Sequence, residues 1–358
     1  MSLAGLESPT CCAPCARSFE SPSYGKIEFR MDSSVRTEIA PPRLIASIQA
    51  GFNLVANRAY LLVFPILLDL FIWLGPRYRV KALFSPFIED WLNMTQTMAG
   101  EQAASMVEVV RQFWQFQLER FNLFSALSTF PIGIPSMMAG LMPARTPWGM
   151  PLIIEAQSFG QFLSGWLLFG LLGLVLGCVY FSLLASEVRL FEERDSIRLL
   201  VWEVGQVFLL VMSLILLALV ISVPLLGMAV ILEMISLQFL QMFILVVMVA
   251  LLWIVVPLAF TPHGIFVARR NFLTSALLSV RTWRWLFPGI ALFLISLLLI
   301  SQGLGYLWRI PPEDSWLMLA GILGNAVVST ALLGASFVYY RDALLWAETL
   351  RRATQVLK

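Results

Sequence analysis

Few side chains in this sequence have the chemistry of a site, and each has an ordinary structural role to be weighed beside it. Asp69 stands inside the apolar stretch from Ala59 to Gly75. A carboxylate within a membrane-crossing helix costs roughly 2.5 to 3.5 kcal/mol even on the lenient insertion scale, so it must face protein or water. It is either a proton or cation site in a carrier, or a carboxylate near the helix end held by a basic residue such as Arg79 or by a bundle amide. No second acidic residue stands at matching depth to complete a relay. Asn325 lies in a small and polar stripe with Gly321, Gly324, Ser329, Thr330, Gly334 and Ser336. Such a stripe lines a substrate path or serves hydrogen bonding between helices.

His263 is the only histidine, so a two-histidine metal motif is excluded and any nucleophile–histidine pair would rest on one ring. Cys11, Cys12 and Cys15 have no fourth ligand at a defined spacing and read as free thiols rather than a zinc site; Cys178 lies in an apolar run. There is no Walker A, GxSxG or HExxH motif. The residues name no catalytic centre, no cofactor and no metal.

The elements that must position these residues follow from composition. Of 358 residues 59% are hydrophobic and only 13% charged, more apolar than a soluble core requires. In hydrocarbon the backbone must satisfy its own hydrogen bonds, which leaves helices or a closed barrel. Apolar runs such as Val207 to Val223 and Met242 to Phe260 are long and continuous rather than alternating, the helical signature. The expected fold is all-α, a polytopic transmembrane bundle of about six spans: 59–75, 159–186, 199–224, 239–260, 286–306 and 316–340. A net charge of +2, without basic residues interleaved with aromatics, argues against nucleic acid as a partner.

Residues 1–42 lack periodicity and read as a disordered tail, with no apolar core of a signal peptide; Met31 is an alternative start. Leu44 to Ala56 reads as an interfacial helix entering the membrane. Residues 76–158 form an exterior helical insertion. Within it Glu101 to Arg120 is amphipathic, and its residues Met106, Val109, Val110, Phe113, Trp114 and Phe116 should lie on something apolar. Asn122 to Ala144 is uncharged but broken by Pro131, Gly133, Pro135, Gly140 and Pro143, and is expected to be re-entrant or interfacial rather than spanning.

Basic residues orient the chain. Arg189, Arg194 and Arg198, then Arg269, Arg270, Arg281 and Arg284, then Arg341, Arg351, Arg352 and Lys358 fall in alternate connections and the tail. These belong in the cytoplasm, so both termini lie inside and the chain is expected to be a multi-pass protein of the plasma membrane. Thr261 to Trp285 reads as a helix on the cytoplasmic leaflet, with Arg269, Arg270, Arg281 and Arg284 as lipid head-group contacts or as plain positive-inside anchors. Gly173 and Gly177, with Gly170 nearby, allow close helix approach, within the monomer or across a homodimer.

The stretch FTPHGIFVARRNFLTSALLSVRTWRWLFPGIALFLI and the later SFVYYRD resemble poorly characterised bacterial six-helix membrane families. The nearest named one is the membrane domain attached to some glycerophosphodiester phosphodiesterases. The likeness covers roughly the last hundred residues, and because that domain is not the catalytic part it implies no active-site residue here. Three expectations follow. The first is a non-catalytic scaffold or accessory protein, embedded in the lipid bilayer, that docks a protein partner or itself through the aromatic exterior insertion. The alternative is a carrier of small solutes or lipids using Asp69, Asn325 and helices broken at Pro224 and Pro257. The third is an intramembrane enzyme, which needs Asp69 or His263 to meet another reactive group in a cavity.

Overall fold

Long apolar runs that must bond their own backbones give an all-α bundle, seen in a computed structural model that describes residues 41–99, 104–189 and 196–356. The tail with Cys11, Cys12, Cys15 and Met31, together with Arg194, lies outside the described residues. In chain order the helices are α1 (Leu44–Asn57), α2 (Val63–Leu74), α3 (Lys81–Ala99), α4 (Ala104–Arg120) and α5 (Met137–Leu141). Then come α6 (Phe159–Ser186), α7 (Ile197–Ile235), α8 (Leu237–Leu258), α9 (Thr261–Phe266), α10 (Phe272–Trp308) and α11 (Met318–Val356).

Five helical segments are long and apolar enough to cross a membrane, namely α6, α7, α8 continued through α9, α10 and α11. The helix α1 and the segment Ala59–Leu74, which meet at a bend of 92°, pass the same test of length and apolarity when taken together as one broken span. The bend divides their work. Arg58 pairs with Glu187 just past α6 (2.9 Å), whereas Trp73 donates its indole N–H to the Glu313 carbonyl before α11 (2.8 Å). Ala59–Leu74 thus runs from one end of the bundle to the other, and α1 packs along α11, with Gly51 against Ala331 and Ala335.

Local sequence sets the boundaries. Ser158, Ser196 and Ser236 each cap a helix by accepting a hydrogen bond from the backbone N–H of Gln161, Arg198 and Gln238. Pro288 removes a backbone donor, and α10 kinks two residues earlier at Leu286 (φ −117°, ψ 19°), where the expected fifth span begins. By contrast α7 runs on through Pro224 to Ile235 and α11 runs past Tyr340 to Val356, both longer than the apolar pattern indicated.

α11 is the centre of the bundle. Ile322, Ala326, Ala331, Ala335 and Phe337 are fully buried on it. Its small residues permit close approach: a Cβ at Gly321 would lie 2.3 Å from the Trp308 carbonyl oxygen, and one at Gly324 2.6 Å from the Trp308 ring. On the other side α1 buries Ser47, Gly51 and Val55, and a Cβ at Gly51 would lie 2.2 Å from the Ala331 carbonyl oxygen.

The exterior insertion closes on itself. Strand β1 (Arg77–Arg79) pairs in parallel with β2 (Ile153–Glu155), Arg77 opposite Ile153, so the insertion leaves and rejoins the bundle at one place. Strands of three residues are too short to carry a readable periodicity. The helix α3, whose Pro86 falls near its start, was not announced by the sequence either.

One expectation is revised. Thr261 to Trp285 is not a single surface helix: every residue of α9 is buried, and the exposed amphipathic part is the first segment of α10, after a turn at Val267–Asn271. Pro262 starts a helix and Gly264 packs against Ser275, so this piece folds into the end of the bundle.

Candidate functional site

Asn122–Ala144 does not cross. It descends along α6 with Leu123 against Gly165, Leu127 against Gly173 and Gly133 against Gly177. Gly165 to Gly177 spans about 18 Å of helix rise. The segment then returns through α5, and the Ala144 N–H bonds the Glu313 carboxylate (2.9 Å) at the end where it began. This is a re-entrant hairpin. Gly173 and Gly177 therefore serve packing within the chain, while Gly170 faces open space.

Asp69 holds the returning arm. Its carboxylate accepts hydrogen bonds from the Ser136 hydroxyl, the Met138 N–H (3.0 Å) and the Met137 N–H (3.2 Å), and it is fully buried. These are the unpaired donors at the start of α5, and a carboxylate satisfies them well. Of the two partners expected, Arg79 or a bundle amide, the structure has backbone amides, because α5 begins directly against α2.

Ser136 also joins Asp69 to Asn325. A cavity of about 300 Å³ between the hairpin, α10 and α11 is lined by Ser136, Ser301, Gln302, Arg309, Asn325 and Ser329, among others. Asp69 stands one hydrogen bond behind its wall. Arg309 gives the cavity a cation that makes no ion pair among the described residues. Ser301, Gln302 and Arg309 escaped sequence reading because they lie at the far end of an otherwise apolar helix.

His263 is buried in the bundle. Its Nε2 lies 2.8 Å from the Ser336 hydroxyl, and Phe260, Phe337 and Tyr340 surround the ring. Among the described residues no group of three or more His, Cys, Asp or Glu side chains could hold a metal ion.

The four lipid-facing arginine candidates separate. Arg281 and Arg284 lie exposed, one helical turn apart on the first segment of α10. Arg269 sits in the turn before it with φ +47°, and the Arg270 N–H bonds the Gly264 carbonyl (3.3 Å).

In the insertion, Arg77 is buried and its two terminal guanidinium nitrogens have no hydrogen-bond partner among the described residues. Burial pushes its pKa down to about 10, the charges of Arg79 and Arg120 add to that, and Glu313 opposes it. Glu119, paired with Lys81 at 2.8 Å, is held below the usual carboxylate range.

The helical hairpin α3–α4 buries Leu92 of α3 and Val107 and Leu118 of α4. Arg111 on α4 reaches Glu89 (3.0 Å) and Asn93 (3.2 Å) on α3, and Gln115 also reaches Glu89 (3.4 Å), all on its solvent side. Further apolar residues lie exposed: Phe87 (71% exposed), Trp91 and Met94 of α3 and Met106 (73%), Val109, Phe113 and Phe116 of α4. The α4 face expected to lie on something apolar is thus open in the single chain; only Val107 and Leu118 of α4 are buried.

A scan against protein-family models finds no match, and neither do searches of curated proteins and of solved structures. The site geometry carries the functional reading alone.

Proposed function

We propose that this membrane protein is a non-catalytic scaffold that holds a partner protein through the outward face of α3–α4. The exposed apolar residues of the hairpin carry the reading. Contiguous exposed apolar surface outside the spans marks an interaction site, and here the charges that would keep the hairpin soluble are bonded to each other. The partner that fits is an apolar helix face: the stripe from Met106 to Phe116 follows helical spacing and offers little charge to complement.

The insertion faces the exterior of the plasma membrane in this reading, with both chain ends in the cytoplasm. Arg341 bonds the Val188 carbonyl and Arg189 the Phe266 carbonyl, so the basic connections share one end of the bundle, as the positive-inside rule asks. Single cysteines at Ser105, Ser236 and Ser315 should label from outside intact cells and one at Ser196 should not. The opposite pattern would invert the orientation and move the docking face into the cytoplasm.

A photo-crosslinking residue at Phe113 tests the docking, with Leu216 on the exposed side of α7 as the lipid-facing control. Protein adducts at Phe113 and lipid adducts alone at Leu216 are expected. Lipid adducts alone at both would make the hairpin a membrane-surface element and end the proposal; adducts only to a second copy would make the partner the protein itself.

A second reading, a carrier, is favoured by the polar cavity at Asn325 beside Asp69. In reconstituted vesicles Asp69→Asn should abolish coupled flux. Unchanged flux would remove Asp69 from any coupling role.

A further inference from the structure

The first segment of α10 is held rigidly by a face of small polar residues. Ser275, Ser279 and Thr282 are buried with Trp283, the Ser279 hydroxyl bonds the Pro257 carbonyl (2.6 Å), and Gly264 sits against Ser275. Its other face is therefore fixed in place, and it is apolar: Leu273, Leu277 and Val280 are exposed. Together with Leu258 at the end of α8 they wall an open groove of about 760 Å³, and Arg281, Arg284 and Trp285 complete it.

Neither Arg281 nor Arg284 makes an ion pair among the described residues. The kink at Leu286 turns the helix into its membrane-crossing part directly after them. Val255 and Ile254, one helical turn before Leu258 on α8, are exposed and lie in a segment apolar enough to cross. A hydrocarbon wall continuous with the lipid-facing surface, with two uncompensated cations at the membrane boundary, matches one kind of molecule.

We propose that this groove binds a single anionic phospholipid, its phosphate at Arg281 and Arg284 and an acyl chain against Leu258, Leu273, Leu277 and Val280. An apolar protein helix would leave both guanidinium groups uncovered, and a free phosphate would leave the apolar wall bare. The site differs from plain positive-inside anchoring in needing both its charge and its shape.

The test uses the full chain in detergent with added phosphatidylglycerol or phosphatidylcholine, the bound lipid being counted by native mass spectrometry. The wild-type chain should retain phosphatidylglycerol in preference. Arg281→Gln with Arg284→Gln should lower that preference by about thirtyfold, from about 1 kcal/mol for each arginine near an anionic surface. Arg43→Gln with Arg198→Gln removes the same charge at exposed sites and should leave it intact. Leu277→Trp, at a position 71% exposed, fills the groove without touching charge and should lower retention of both lipids. Equal losses in the two double variants would reduce the effect to a diffuse field and overturn the site. Full retention by Leu277→Trp would remove the acyl seat and overturn it as well.

Discussion

α7 and α11 are both 39-residue helices, and they occupy opposite places in the molecule. The most apolar window of α7 has a mean hydropathy of 2.9 and is 6% buried; that of α11 has 1.7 and is 56% buried. In water the more apolar helix would be the inner one. In lipid, hydrocarbon solvates leucine as well as protein does, and the centre goes to the helix whose small residues let neighbours close in and whose hydroxyls find partners. α11 supplies Gly321 and Gly324 to Trp308, Ala331 to Gly51, and Thr330 to the Tyr180 hydroxyl (2.9 Å). α7 buries only Glu203, Val207 and Leu210, all in its first turns.

The contrast can be broken most severely at the root of α7. Glu203 is fully buried against Arg189 at 3.1 Å. Glu203→Ala removes the carboxylate that faces this buried arginine and should cost about 3 to 5 kcal/mol, read as a lower midpoint of thermal unfolding in detergent. Next comes Gly51→Leu, which drives a side chain into the α11 backbone and should cost about 1 to 3 kcal/mol by the same assay. Asp69→Asn keeps an acceptor for the start of α5 but loses the charge assistance of the carboxylate. About 1 kcal/mol is expected, with greater protease sensitivity of the Asn122–Ala144 hairpin. The smallest change has the opposite sign. A Cβ at Gly205 or Gly227 of α7 meets nothing within 4 Å, so alanine at either should stabilise the chain by about 0.5 to 1 kcal/mol. A loss there as large as that at Gly51 would mean that α7 packs against protein rather than lipid.

What was legible follows from what lipid enforces. Crossing segments must be apolar and helical, so 159–186 coincides with α6 and 59–75 nearly coincides with Ala59–Leu74. The broken composition of Asn122–Ala144 also gave its true character, since Pro131, Gly133 and Pro135 deny it a continuous helix. Other features depended on distant partners. Asp69 was recognised as a buried carboxylate, yet its partners lie at Ser136–Met138, and no local pattern links them. The outward turn of Phe113 and Phe116 was hidden because amphipathicity tells that a helix has two faces and not which one its neighbour takes. Here α4 turns Val107 and Leu118 inward and leaves Phe113 and Phe116 exposed. Pro224 was read as an end, but α7 continues for eleven residues beyond it to Ile235. Proline is tolerated in membrane helices where the surroundings re-satisfy the backbone.

The contact of Gly51 with Ala331 and Ala335 bears on how the protein is made. A chain inserted from its N-terminal side presents the Ser47, Gly51 and Val55 stripe of α1 before its cover has been synthesised, since that cover lies far along the chain in α11. Ala59–Leu74 is completed in stages: Met137 and Met138 reach Asp69 when the hairpin arrives, and Glu313 reaches Trp73 later still. Until α11 is made, the Gly51 stripe stays open to lipid or to other protein.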